Sequence, residues 1–154
     1  MTEALDSFDR KILERLQMNA RETAEVMSEA VGLSPAACQR RVKKLRDKGV
    51  VKADIAVLDP ARIGGRLTLH VSVVLERGGA HVIDEFKRQA INETRVQQCF
   101  YVTGDADFIL VVTALDMADY EAFTRRFFFG NSNIQRFTTT VAMETVKAGL
   151  ALPI

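Results

Sequence analysis

Apolar positions recur along this chain with two different periods, and the change of period divides it. In "LDSFDRKILERLQMNAR", Phe8, Ile12, Leu13 and Leu16 fall three and four residues apart, which predicts one buried stripe of a helix. Asp6 precedes the stripe with Asp9 three residues on, a variant of the capping box, and Asn19 marks the end. Thr23 then opens "AEVMSEAVG", where Ala24, Met27 and Val31 continue an apolar face and Gly32 supplies a stop suited to left-handed backbone. Leu33 reads as a buried connector. Ser34 and Pro35 restart the helix: Ser caps, and Pro prefers the first helical position because its missing N–H costs nothing there. The third helix runs to about Lys48 and ends at Gly49. A second and third helix joined by a short Gly-containing turn make a helix-turn-helix, with the motif at about residues 23–42. "VVKADIAVLDP" then alternates and predicts a strand or β-ribbon, a wing to the motif, ended by Asp59 and Pro60. "ARIGGR" reads as a connector with Gly64 and Gly65 as hinge.

Beyond the hinge the period switches. "LTLHVSVVL" (67–75) alternates as a strand, and "AHVIDEFKRQAI" (80–91) places Val82, Ile83, Phe86 and Ala90 at helical spacing. "VQQCFYVTG" (96–104) and "FILVVTAL" (108–115) form a hairpin through "GDAD". "DMADYEAFTRRFFFG" (116–130) is a helix capped by Asp116 with Met117, Tyr120, Phe123 and Phe127 on one side, and "IQRFTTTVAME" (134–144) is the last strand. The order βαββαβ is the ferredoxin-like split motif, an antiparallel sheet with both helices on one face. The fold class is therefore α+β: a winged helix-turn-helix domain at 1–60, a linker at 61–65 and a ferredoxin-like domain at 66–154.

That arrangement leaves one sheet face to explain. In 108–115, Phe108, Leu110 and Val112 point one way while Ile109 and Val111 point the other, so both faces carry apolar residues. A second copy of the chain is the simplest cover. "RRFFFG" agrees: three successive phenylalanines fan over about 200° of a helix. At least one of Phe127, Phe128 and Phe129 must be exposed in a monomer.

Composition changes this picture little. The chain has 154 residues, 47% hydrophobic and 27% charged, as ordinary globular proteins do. The net charge of +1 indicates no partner, but six basic residues lie between Arg40 and Lys48 with one acid among them. A local patch of this kind is felt over about 8–10 Å at physiological salt. Two distant cysteines, Cys38 and Cys99, indicate thiols in a reducing compartment. The charged N-terminus has no apolar signal core and no apolar run approaches the roughly 18 residues a membrane span needs, so a cytoplasmic protein is expected.

On the third helix, Cys38, Val42 and Leu45 lie at i, i+4 and i+7 and should pack inward. Ser34, Ala36, Ala37, Gln39, Arg40, Lys43 and Lys44 then face DNA. Gln pairs bidentately with adenine and Arg with guanine, so Gln39 and Arg40 are the candidates for base contacts. Arg41, Lys43, Lys44 and Lys48 are assigned to phosphates, which position without specifying. The charge alone would fit a solvated basic helix equally well.

Taken in order, "LDSFDRKILERLQMNAR", "VGLSPAACQRRVKKLRDKGVV", "VLDP", "VTGDADFILVV" and "VAMETVK" resemble the Lrp/AsnC, or feast/famine, transcription regulators over almost the whole chain. The resemblance implies a sequence-specific regulator that binds double-stranded DNA, dimerises through its C-terminal domain and assembles further, commonly to octamers. It also implies a small-molecule effector, most often an amino acid, bound between dimers. By that resemblance the effector site lies at "VTGDADF" and the last strand. Asp105 and Asp107 would receive an ammonium, the N–H groups around Gly104 a carboxylate, and Thr103, Thr138 and Thr140 would offer hydroxyls. "GDAD" is also good turn chemistry by itself. The chain departs from the family with "FFFGNSNI" where Leu-Pro-Gly is common, and with Phe137, Thr138 and Thr139 where a Thr-Arg-Thr type run is common.

No cofactor or metal is expected. His70 and His81 have no cysteine or carboxylate at ligand spacing, and "ARIGGRL" lacks the ending of a phosphate loop. Cys99, in a strand, reads as core. An enzyme on this scaffold would need a nucleophile with its base, paired catalytic carboxylates or a metal cluster, and none is seen. The remaining alternative is an architectural DNA-binding protein without an effector.

Overall fold

A computed structural model describes residues 4–76 and 79–154. The chain forms two compact units, one running to Val57 and completed by Lys147–Ile154, the other spanning Leu58–Val146.

The first unit holds three helices, α1 (Ser7–Met18), α2 (Ala24–Val31) and α3 (Pro35–Asp47). Each starts on the cap that its sequence offers. Asp6, Thr23 and Ser34 accept from the amides of Asp9 (2.8 Å), Val26 (3.4 Å) and Ala37 (3.2 Å). Gly32, at φ 81°, stops α2. Gly49, at φ 70°, ends α3 in a Schellman motif: its amide donates to Arg46 and that of Val50 to Leu45, both at 2.9 Å. Ile12, Leu13, Leu16, Met27, Val31, Cys38 and Leu45 form the core, with Phe8, Leu33 and Val42 packed at its edge. The inward set expected for α3 is thus the one observed.

The wing is a correction. Residues 52–58 form no strand, and Ile55, Val57 and Leu58 are exposed. Alternation fits a segment to a sheet, but a ladder needs a partner strand, and no described segment of the chain pairs with this one. Asp59 instead caps a short 3-10 turn, Pro60–Ile63, by accepting from Ala61 (3.0 Å). Gly64 and Gly65 follow, both at positive φ, a backbone that glycine adopts without strain.

The second unit contains β1 (Leu67–Leu75), α4 (Ala80–Asn92), β2 (Val96–Tyr101), β3 (Phe108–Ala114), α5 (Met117–Phe127) and β4 (Ile134–Val141). The sheet order is β2-β3-β1-β4, antiparallel throughout, as βαββαβ demands. Leu69, Val71, Val73, Leu75, Phe108, Leu110, Val112 and Ala114 form the buried sheet face, against Val82, Phe86 and Ala90 of α4 and Tyr120, Phe123 and Phe127 of α5. Met117, expected on the inner side of α5, is exposed because it occupies the first helical position. The helix stops at Phe127, earlier than expected. Phe128 turns inward from the cap position and stacks on Phe137 at 4.3 Å, while Phe129 stays 73% exposed.

The open sheet face is mixed. Cross-strand pairing places Phe100, Ile109, Ser72 and Thr138 in one row and Gln98, Val111, His70 and Thr140 in the next. Both cysteines are thiols, Cys38 buried and Cys99 half-buried. Burial raises the Cys99 thiol above its ordinary range. No helix among the described residues is long and apolar enough to cross a membrane.

Candidate DNA interface and effector loop

The outer face of α3 follows from the inner one. With Cys38 and Leu45 buried, the opposite side of the helix carries Ala36, Gln39, Arg40, Lys43 and Lys44, spaced three and four apart. All five are exposed, as are Ser34 and Lys48, while Ala37 is half-buried. Gln39 and Arg40 make no side-chain hydrogen bond or ion pair among the described residues, so their donors face outward unspent. The Ser34 oxygen accepts the Ala37 amide, which leaves its O–H as a donor. Lys43 bridges to Asp47 one turn on, at 2.9 Å. Both partners are exposed, so solvent screens the pair and it yields readily to a phosphate.

Arg41 stands apart from the other cations. Its Nη1 donates to Asp6 Oδ2 at 2.7 Å and to Asp9 Oδ1 at 2.6 Å, and the guanidinium lies 5.5 Å from the Phe8 ring centroid. It is therefore held within the domain, away from the face that carries Arg40. The spacing carried a signal for this: Arg41 lies three residues after Cys38 and four before Leu45, on the buried side. Sequence reasoning also passed over Gln17, whose amide bonds the backbone of Leu152. Elsewhere Arg15 pairs with Glu22, which lowers the Glu22 carboxyl, and Arg46 pairs with Asp54 at 2.9 Å.

The residues expected at the effector site lie on several elements of the chain. Thr103, Gly104 and Asp105 are exposed in the loop joining β2 and β3, with Gly104 at φ 117°. Asp107 closes that loop. Its carbonyl accepts from Val102 (2.9 Å), its amide donates to Val73 (2.9 Å), and its Oδ2 accepts the Leu75 amide (2.8 Å). One carboxylate oxygen of Asp107 thus holds the end of β1. Thr138 and Thr140 lie on the open face of β4, opposite Ser72 and His70. Since β2 and β4 are the two sheet edges, β3 and β1 intervene, at about 4.8 Å per strand. Asp107 stands between the two groups, beside the end of β1 and one strand from β4. Two surface clefts, of about 250 and 440 Å³, lie elsewhere, at Gln89, Glu93 and Arg126 and at Leu16, Met27 and Gln39. No group of three His, Cys, Asp or Glu among the described residues is placed to hold a metal ion.

A helix-turn-helix with an outward basic face, on the same chain as a βαββαβ sheet domain, defines a two-domain transcription regulator. The profile of the AsnC-type helix-turn-helix domain matches residues 5–46, and that of the Lrp/AsnC ligand binding domain matches residues 68–152. The chain belongs to the Lrp/AsnC family of transcriptional regulators. An uncharacterised HTH-type transcriptional regulator of Sinorhizobium fredii is 50% identical over 150 residues, 97% of this chain and 89% of that one. The leucine-responsive regulatory protein of Escherichia coli K12 is 32% identical over 150 residues, covering 97% and 92%. Among solved structures, a transcriptional regulator of Neisseria meningitidis in complex with L-methionine superimposes with a TM-score of 0.90 at 30% identity, covering 97% of both chains.

Proposed function

We propose that this protein is a cytoplasmic, amino-acid-responsive regulator that reads double-stranded DNA with Gln39 and Arg40. Ser34, Ala36, Ala37, Lys43, Lys44 and Lys48 meet the flanking backbone and bases. The observation that carries the reading is the outer face of α3, where two side chains able to pair bidentately with bases stand beside exposed lysines. The open sheet face, with Phe100, Ile109 and Val111 on it, supports a homodimer, and the exposed Phe129 supports further assembly toward an octamer. A dimer presents two copies of α3 to successive major grooves, about 34 Å apart.

The effector site is completed by more than one chain. Of its six residues, Thr103, Gly104 and Asp105 stand in the exposed loop after β2, Asp107 beside the end of β1, and Thr138 and Thr140 on the edge strand β4, and neighbouring copies complete the set. The methionine complex of the Neisseria regulator supports an amino acid as ligand.

The test is a fluorescence-anisotropy titration on the DNA upstream of the protein's own gene, with and without each of the twenty amino acids. Binding should fall steeply with salt as counterions leave the phosphates. No binding at modest salt sinks the reading. Binding that no amino acid alters would favour an architectural DNA-binding protein instead.

A further inference from the structure

We propose that Arg41 is a positioning residue that sets the rotation of α3 against α1, and thereby selects which α3 side chains face the bases. The inference rests on the DNA-binding reading above.

One carboxylate joins the two helices. Asp6 Oδ1 accepts the Asp9 amide at 2.8 Å and starts α1, while its Oδ2 accepts Arg41 at 2.7 Å. Asp9, nearly buried, holds the same nitrogen at 2.6 Å. Arg41 is bracketed in sequence by Cys38 and Leu45, both in the core. Arg40 is its immediate neighbour, about 100° around the helix. A turn of α3 that released Arg41 would carry Arg40 and Gln39 off the outer face by the same angle. Apolar contacts between helices tolerate sliding and repacking; two short charge-assisted hydrogen bonds to fixed oxygens do not.

Charge argues against the competing role. Arg41 with Asp6 and Asp9 sums to one net negative charge at neutral pH. A phosphate reaching Arg41 would meet two carboxylates within hydrogen-bond distance of the same nitrogen. Arg40, exposed and with no carboxylate bound to it among the described residues, offers a phosphate no such repulsion at first contact.

The experiment compares Arg41→Gln, Asp9→Asn and Asp6→Asn with the wild-type full-length chain. Asparagine at position 6 remains a good helix cap while removing the charge, so that variant reports even where Arg41→Gln folds poorly. The probes are a duplex enriched by the wild-type protein from a random-core pool and a scrambled duplex of equal length. Anisotropy is read across a salt series, with far-UV circular dichroism as a check on folding. All three variants should lose about tenfold or more on the enriched duplex, the worth of a base contact. Binding to the scrambled duplex should stay within about twofold, with an unchanged salt slope. Long-range charge alone predicts the opposite for the Asp variants, since deleting an acid tightens binding to any DNA.

Partial unfolding would lower binding to both duplexes together and leave their ratio intact, which overturns the proposal. So does a salt slope reduced by about 1 in Arg41→Gln, the mark of a lost phosphate contact. Wild-type binding in all three variants overturns it as well. A wild-type protein that enriches no duplex overturns the DNA-binding reading, and this assignment with it.

Discussion

Gln17 grips the backbone of Leu152 from both sides, its Nε2 donating to the carbonyl at 3.0 Å and its Oε1 accepting the amide at 2.6 Å. The two residues are 135 positions apart, yet they belong to one compact unit, because Lys147–Ile154 lies with the three helices. An amide side chain that satisfies both backbone groups of one residue acts like a single rung of sheet. Such bonds between exposed groups add on the order of 1 kcal/mol together, near the low end for hydrogen bonds.

A chain ending at Val146 should therefore lose about 1 kcal/mol from the helical unit and little from the sheet unit. The Gln17→Ala variant should reproduce most of the loss. Amide hydrogen exchange separates the units: faster exchange in α1 with unchanged exchange in β1 and β3 supports the strap. Equal exchange in both proteins means the tail merely rests there.

Phe128 and Phe129 are neighbours with opposite fates, 1% and 73% exposed. Phe128 packs on Phe123, Phe127 and Phe137, so Phe128→Ala should cost about 3–5 kcal/mol in urea unfolding. Phe129→Ala should stay within about 0.5 kcal/mol. It should instead shift the assembly to smaller species in size exclusion with light scattering, if Phe129 serves association. An unaltered oligomer profile would remove it from that role.

Acid should unfasten the helical unit first. The Asp9 amide and the Arg41 guanidinium hold the Asp6 carboxyl below its ordinary range, and Arg15 does the same for Glu22. A carboxyl with a lowered folded value takes up a proton more readily when unfolded. Its contribution is complete above the unfolded value, about 4, and is lost as pH falls through the lower folded value. Exchange protection of α1 should thus decline below about pH 4, and less so in Asp6→Asn, which has no proton to take up at that site. The unit contains no Tyr or Trp, so exchange or far-UV dichroism must report it.

What the sequence revealed was local. Asp6, Thr23, Ser34 and Asp116 each announce a helix start within three residues, and each accepts the expected amide. The inner strands β1 and β3 were legible because alternation and burial share one period there. The rest depends on partners far along the chain. Arg41 looked like its cationic neighbours, and its carboxylates lie 32 and 35 positions upstream. Three consecutive phenylalanines require that one face out, but which one depends on where α5 stops. The alternation of 50–58 promised a strand without showing what it would pair with. The residues expected at the effector site were named by resemblance, and only the sheet order shows that β3 and β1 stand between the loop after β2 and the β4 threonines.

On DNA, Arg40→Ala should cost about 1–3 kcal/mol on the enriched duplex and little on a scrambled one. Lys44→Ala should weaken both alike and reduce the salt slope by about 1. Equal losses on both duplexes for Arg40→Ala would make it a phosphate contact.

Asp105 and Asp107 separate ligand chemistry from loop chemistry. Asp105 is exposed, and its side chain makes no hydrogen bond among the described residues. Asp107 spends one oxygen on the Leu75 amide. Asp105→Asn should leave urea unfolding unchanged and blunt the response of DNA binding to the amino acid. Asp107→Ala orphans the Leu75 amide, half-enclosed at the sheet end, and should cost about 1–2 kcal/mol of stability. Asp107→Asn keeps an oxygen acceptor and recovers part of that stability. If it also keeps the full amino-acid response, then the Asp107 charge serves the hairpin alone and the ammonium is held by Asp105. If Asp105→Asn responds normally while Asp107→Asn does not, the assignment is reversed, and the free oxygen of Asp107 is the one that meets the ligand.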